Sequence, residues 1–227
     1  ALLPGDQVSY GRNRLQTFID RFGGSMSAQE AIYKASVNAH STVKALLHEV
    51  GYDTVLATIG DHDIGGNEGF VKLSNPRSKL FTLPSHRQGF GDGINRDEDG
   101  EFLFDQSFDD IPSRPLGTKY ENTTFAYVHH NALFVTVDAF ELVGDGTKNY
   151  LDRENGFGGE GAVTCTVSGK HLDWFESILR YGRDSAAINH IFVQAHLPVI
   201  QPVQKVDTSG QFFDGGSESN FWNLMNE

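Results

Sequence analysis

The sequence predicts an α/β fold, layered sheets flanked by helices, and three observations carry that expectation. Apolar runs and amphipathic stretches alternate as strand, helix, strand, then hairpin, helix, strand. The two helical stretches each show one apolar stripe with steps of three or four residues. The polar residues best suited to chemistry fall where strands end, which is where open α/β sheets gather their sites.

The elements follow in order. "ALLPGD" opens the chain as the tail of a strand running into a Gly-Asp turn. From Met26 to Val50 the residues Ile32, Ala35, Ala39, Val43, Leu46 and Val50 mark one helical face. Ser27 is the expected N-cap, with Glu30 three residues on, and Gly51 the expected C-cap. "TVLATIG" reads as a short buried strand ended by Gly60. Residues 64–117 are rich in Gly, Asn, Asp, Ser and Pro and read as a long, mostly irregular insertion in a single domain spanning 1–227. "FAYVHHNALFVTVDAF" reads as two strands around a His130-Asn131 turn. Residues 141–167 are again Gly-rich. Ser168 then opens a second helix with Leu172, Phe175, Ile178 and Leu179 on one face. "HIFVQAHLPV" reads as a buried strand ending near His196. "SNFWNLMNE" reads as a helix with Phe221 and Trp222 on its buried side, cut in mid-course, so the chain is expected to be a fragment truncated at both ends.

Composition narrows the function. Hydrophobic residues make up 38% and charged residues 21%, enough apolar material for a large core. The net charge of −12, without a Lys/Arg cluster, excludes nucleic acid as a general partner and fits a soluble, exported or salt-adapted protein. No apolar run approaches a membrane span and no signal peptide is visible. The single cysteine, Cys165, rules out an internal disulfide framework and a cysteine-based zinc site, and reads as a small residue in a polar strand or loop.

Three strand-end sites carry candidate chemistry: Asp6, the run Asp61-His62-Asp63, and His196. Carboxylates and an imidazole in a row repel or waste one another unless something positive sits between them. They are also the ligand set for Zn, Mn or Fe. A carboxylate can bridge two such ions, and a water between the ions becomes an attacking hydroxide near neutral pH. Gly5, Gly60, Gly65 and Gly66 would let backbone and substrate approach. Each piece alone is more often an ordinary turn or a structural histidine; their order is the specific signal.

Taken in that order, "GDQVSYG", "GDHD" and "VQAH" resemble three successive blocks of the calcineurin-like metallophosphoesterases, and within them of the purple-acid-phosphatase-like branch. The helix "SGKHLDWFESIL" before "VQAH" is also similar to that family's helix there. The resemblance implies an α-β-β-α sandwich, here incomplete at both termini, two divalent or trivalent metal ions (Zn, Mn or Fe), and hydrolysis of phosphate esters, mono or di. It implies that Asp6 bridges the ions, that Asp61 and His196 bind the second ion, and that His62, steadied by Asp63, contacts the phosphoryl group or protonates the leaving group. It favours a periplasmic or secreted setting. The chain departs from the pattern in carrying Asp61 in place of Asn, and Tyr10 four residues after Asp6 rather than three. The outer "DxH" and "GHxH" blocks are absent, so the chain alone is expected to hold at most one ion loosely and to be weak or inactive. A non-catalytic binding or structural module on the same fold is the alternative.

A last motif is "NRDEDGEFLFDQ", in which Asn95, Asp97, Asp99 and Gly100 match the start of an EF-hand calcium loop and Phe102 its apolar position, with Gln106 at position twelve in place of Glu. It reads either as a weak calcium site or as a solvated acidic loop. His40, His48, His86, His129, His130, His171 and His190 read as surface or satisfied structural histidines, although His86 lies in the insertion, where it could reach a site.

Overall fold

Helix α1 (Ala28–Glu49) forms as its sequence dictates. Ser27 accepts a hydrogen bond from the Glu30 amide at 3.2 Å, which satisfies one of the open donors of the first turn. At the other end Gly51 takes a left-handed φ of 92° and its amide reaches His48 O at 2.9 Å. The computed structural model describes residues 1–7, 20–22, 24–60, 63, 82–142, 163–199 and 213–227.

The fold is α/β. Strand β1 (Leu2–Leu3) runs parallel to β2 (Leu56–Ala57), with α1 between them in the chain. Hairpin β5 (Phe125–His129) and β6 (Ala132–Val137) turn at His130, whose φ is 54°. Strand β9 (His190–Ala195) then lies parallel to β6, giving the order β5-β6-β9, with helix α3 (Gly169–Asp184) preceding β9. Parallel pairing demands such a crossover. Two smaller ladders complete the picture: β3 (Ser107–Phe108) with β4 (Ile111–Pro112), and β7 (Phe140–Leu142) with β8 (Val163–Cys165).

Side chains stitch the pairs together. Gln194 donates to the carbonyls of Leu3 and Leu56, and Thr58 Oγ1 donates to Val137 O at 3.0 Å. The carboxyl ends of β1, β2, β6 and β9 therefore gather at one edge.

The main core lies under α3. Trp174, Phe175, Ile178 and Leu179 are buried against Leu133, Val135 and Val137 of β6. Phe221 of the terminal helix α4 (Asn220–Asn226) stacks between Phe175 and Phe213 at ring separations of 4.7 and 4.6 Å. Each such ring contributes roughly 1.5–3 kcal/mol of burial. A second cluster stacks Phe104 on Phe125 at 4.4 Å beside Phe102, with the Arg114 guanidinium over the Phe102 ring. Cys165 is buried in β8.

Several expectations are corrected. The segment expected to be irregular holds a 13-residue helix, α2 (Thr82–Ile94). Its "GFGDGI" suggests a loop because glycine weakens an isolated helix by about 1 kcal/mol per residue. Here the glycines serve packing. A methyl group on Gly89 would stand 2.5 Å from Ser36 Cβ and one on Gly93 would stand 2.9 Å from His40 Cβ, so α2 lies hard against α1. Gly89→Ala should accordingly destabilise the fold by about 1–3 kcal/mol in urea unfolding, despite alanine's higher helix propensity. A stabilised variant would show that the helices have room to part.

On α1, the buried stripe runs through Ile32, Ala35, Ser36 and His40, while Leu46 and Val50 at its far end are exposed. Strand β9 is half buried rather than buried. Phe192 is 51% exposed, and among the described residues β9 pairs with β6 alone.

The acidic motif is a tight hairpin. Asp97 N donates to Glu101 O, Leu103 N to Asn95 O, and Gly100 takes φ 83°. Helix α2 ends just before it. Asn95 is fully buried with Nδ2 on Asn122 O, and Gln106 Oε1 accepts from Val128 N. Gly100 here serves a hairpin turn. His171 is buried, and neither ring nitrogen has a hydrogen-bond partner among the described residues.

Candidate metal centre

The turn after β1 is unusual in its backbone. Gly5 has φ 104° and Asp6 φ 57°, the left-handed region that glycine enters freely and Asp only with support. That pair of conformations turns the Asp6 carboxylate back over the strand end. The turn after β2 closes against it: a methyl on Gly60 would stand 2.2 Å from Asp6 Oδ1, so only glycine fits there.

His196 arrives from β9. Its Nδ1 lies 2.8 Å from Pro4 O, an obligate acceptor, so Nδ1 carries a proton and donates. In a neutral ring the lone pair is then on Nε2, which lies 3.6 Å from Asp6 Oδ2. Metal-binding histidines commonly anchor their other nitrogen on a backbone carbonyl in this way. Oxygen and nitrogen ligands bound at about 2.1 Å to one ion stand about 3.0–3.4 Å apart at ordinary bond angles. The Asp6–His196 spacing is close to that, and both side chains are partly exposed, so the donor types and spacing fit part of a coordination shell.

Asp63 sits behind this pair and is fully buried. Its Oδ2 accepts from Asp6 N at 2.9 Å and from Gly60 N at 2.8 Å. Its Oδ1 faces His40 Nε2 at 3.2 Å. Asp63 thus binds the β1 and β2 turns to each other. Asp61, His62, Tyr10, Gly65 and Gly66 lie outside the described residues, and with them the expected contact of Asp63 with His62. Gly60 and Asp63, the neighbours of Asp61 and His62 in sequence, both stand at the Asp6 turn. Among the described residues no three His, Cys, Asp or Glu side chains form a metal-binding group.

The structure adds residues that sequence reasoning passed over. His40 and Ser36 lie on the buried stripe of α1, with His40 Nδ1 2.8 Å from Ser36 O. Two polar residues four apart inside an apolar stripe were the available signal. Phe140 packs its ring 6.3 Å from that of His196, and its carbonyl accepts from Arg87, so the site rests on a buried polar hub. His86 is fully buried, and its ring is pushed down to about 3 by burial and then by the nearby His40.

A scan of protein-family models matches none to this chain, and searches of curated proteins and of solved structures find no match. No helix among the described residues is long and apolar enough to cross a membrane.

Proposed function

We propose that the chain carries the site of a metal-dependent phosphoesterase built on the α-β-β-α sandwich. The observation that carries the reading is the meeting of Asp6 and His196, 190 positions apart in sequence, with His196 anchored through Nδ1 and its other nitrogen turned to the Asp6 carboxylate.

In this reading Asp6, Asp61 and His196 would hold the metal. The bound ions would supply Lewis acidity toward phosphoryl oxygens and an activated water. The protein's own part is positional. The Pro4 carbonyl fixes the His196 ring, and Asp63 fixes the Asp6 backbone. Gly5 and Gly60 let His196 and Asp6 close against the two turns. His62 would hold a phosphoryl oxygen or deliver a proton to the leaving alkoxide.

The test is hydrolysis of an aryl phosphate by the protein with added Mn, Zn or Fe. Turnover should require metal. Asp6→Asn should lower it by more than about 100-fold, beyond the 10–100-fold typical of a residue that only orients a ligand. Asp61→Asn should hold or raise activity, because an amide oxygen still binds metal and repels phosphate less, whereas Asp61→Ala should lose it. Tight metal binding without any turnover would favour a non-catalytic module on the same fold.

A further inference from the structure

We infer that His40 is a positioning residue for the candidate centre: through Asp63 it holds the backbone of Asp6 and Gly60 in register. The inference deepens the metal reading above, but its first test does not depend on that reading.

The contacts form one chain of support. Asp63 is a carboxylate with no exposure, and such a group persists only with donors around it. Two are backbone amides, of Asp6 and Gly60. The third is the His40 ring, at 3.2 Å from Oδ1. His40 is itself locked. Its two nitrogens both face acceptors, Nε2 the Asp63 carboxylate and Nδ1 the Ser36 carbonyl, so the ring carries a proton on each; the ring packs edge-on to Phe90 at 4.7 Å, and Gly93 of α2 leaves the space its Cβ needs. Ser36 Oγ in turn donates to His86 O, tying α1 to α2. The packed helix pair thus aims one imidazole at Asp63. Asp63 transfers that constraint to the two turns that carry Asp6 and Gly60. Without His40 the carboxylate would be free to shift, and the left-handed Asp6 conformation would lose its support.

The test compares His40→Met with His40→Gln, side chains of nearly equal length. Both lose the bond to Ser36, and only glutamine keeps a donor that reaches Asp63. Amide hydrogen exchange of Asp6 and Gly60 is read by NMR against the amides of α1. In the unaltered protein both amides should be protected; free exchange there would already overturn the inference. The methionine variant should exchange both about tenfold faster or more, matching loss of a hydrogen bond to a charged group, and glutamine should restore most of the protection. Equal protection in all three proteins overturns the inference. A second readout is Mn binding, expected to weaken about 10–100-fold in the methionine variant and to recover with glutamine. Loosened amides with unchanged Mn affinity would overturn the positioning role. If the unaltered protein binds no Mn, the phosphoesterase reading fails, and the amide result alone decides the role of His40.

Discussion

Arg87→Met should destabilise the protein by about 3–5 kcal/mol, the largest effect expected from any single substitution here. Arg87 and Asp138 form a buried ion pair at 2.6 Å, with side-chain exposures of 4% and 0%. Burial works against the Arg87 charge, and the Asp138 carboxylate outweighs it, so the guanidinium is held above its usual range. The pair has further partners. Arg87 also donates to Phe140 O at 2.6 Å and lies over the Tyr120 ring. Asp138 accepts from Thr123 Oγ1 at 2.8 Å and from Phe140 N at 3.0 Å. Removing Arg87 strands a carboxylate in the core. Removing Asp138 strands a guanidinium. Replacing both leaves no buried charge, so Arg87→Met with Asp138→Asn should cost less than the two single changes summed, by at least about 1 kcal/mol. Urea unfolding of the four proteins gives the cycle. Additive losses would mean that the two charges do not sense each other. The hub also supports the site, because Phe140 packs beside His196.

Acid should weaken the fold well before its carboxylates are neutralised. His86 and His171 are buried, and their folded values are pushed down to about 3 and about 4, in each case by burial above all. Unfolded, both would titrate near 6.5. Between those values the unfolded chain binds more protons than the folded one, so stability falls as the pH falls. The stability is fully present above about pH 6.5 and drains away as the pH drops toward 4 and then 3. From pH 7 to pH 5 the two groups together should cost on the order of 4 kcal/mol. His171 offers a clean control. Its ring stacks on Tyr120 at 4.2 Å and forms no hydrogen bond among the described residues, so phenylalanine keeps the packing and loses no bond. His171→Phe should match the unaltered protein near pH 7 and exceed it by roughly 2 kcal/mol at pH 5. Equal pH profiles for the two would show that His171 titrates in the folded protein much as it does unfolded.

The sequence by itself determined the local elements and the ends of the strands. Apolar steps of three and four placed α1 and α3, Ser27 and Gly51 marked the limits of α1, and the His130-Asn131 turn set the hairpin register. These are legible because each depends on residues within one or two turns of each other. Strand ends followed from the same patterns, and with them the positions of Asp6 and His196. Tertiary structure decided the rest. Glycines 89, 91 and 93 argue against a helix until α1, for Gly89 and Gly93, and Asn122, for Gly91, lie close enough for any side chain there to clash. His40 looked like one more structural histidine until Asp63, from another segment, came within 3.2 Å of it. The Arg87–Asp138 hub joins α2 to the end of β6, and nothing near either residue in sequence announces the other. Such features rest on distances between segments brought together only by the packed core, and a buried charge or a helix of glycines is stable only once that partner is in place.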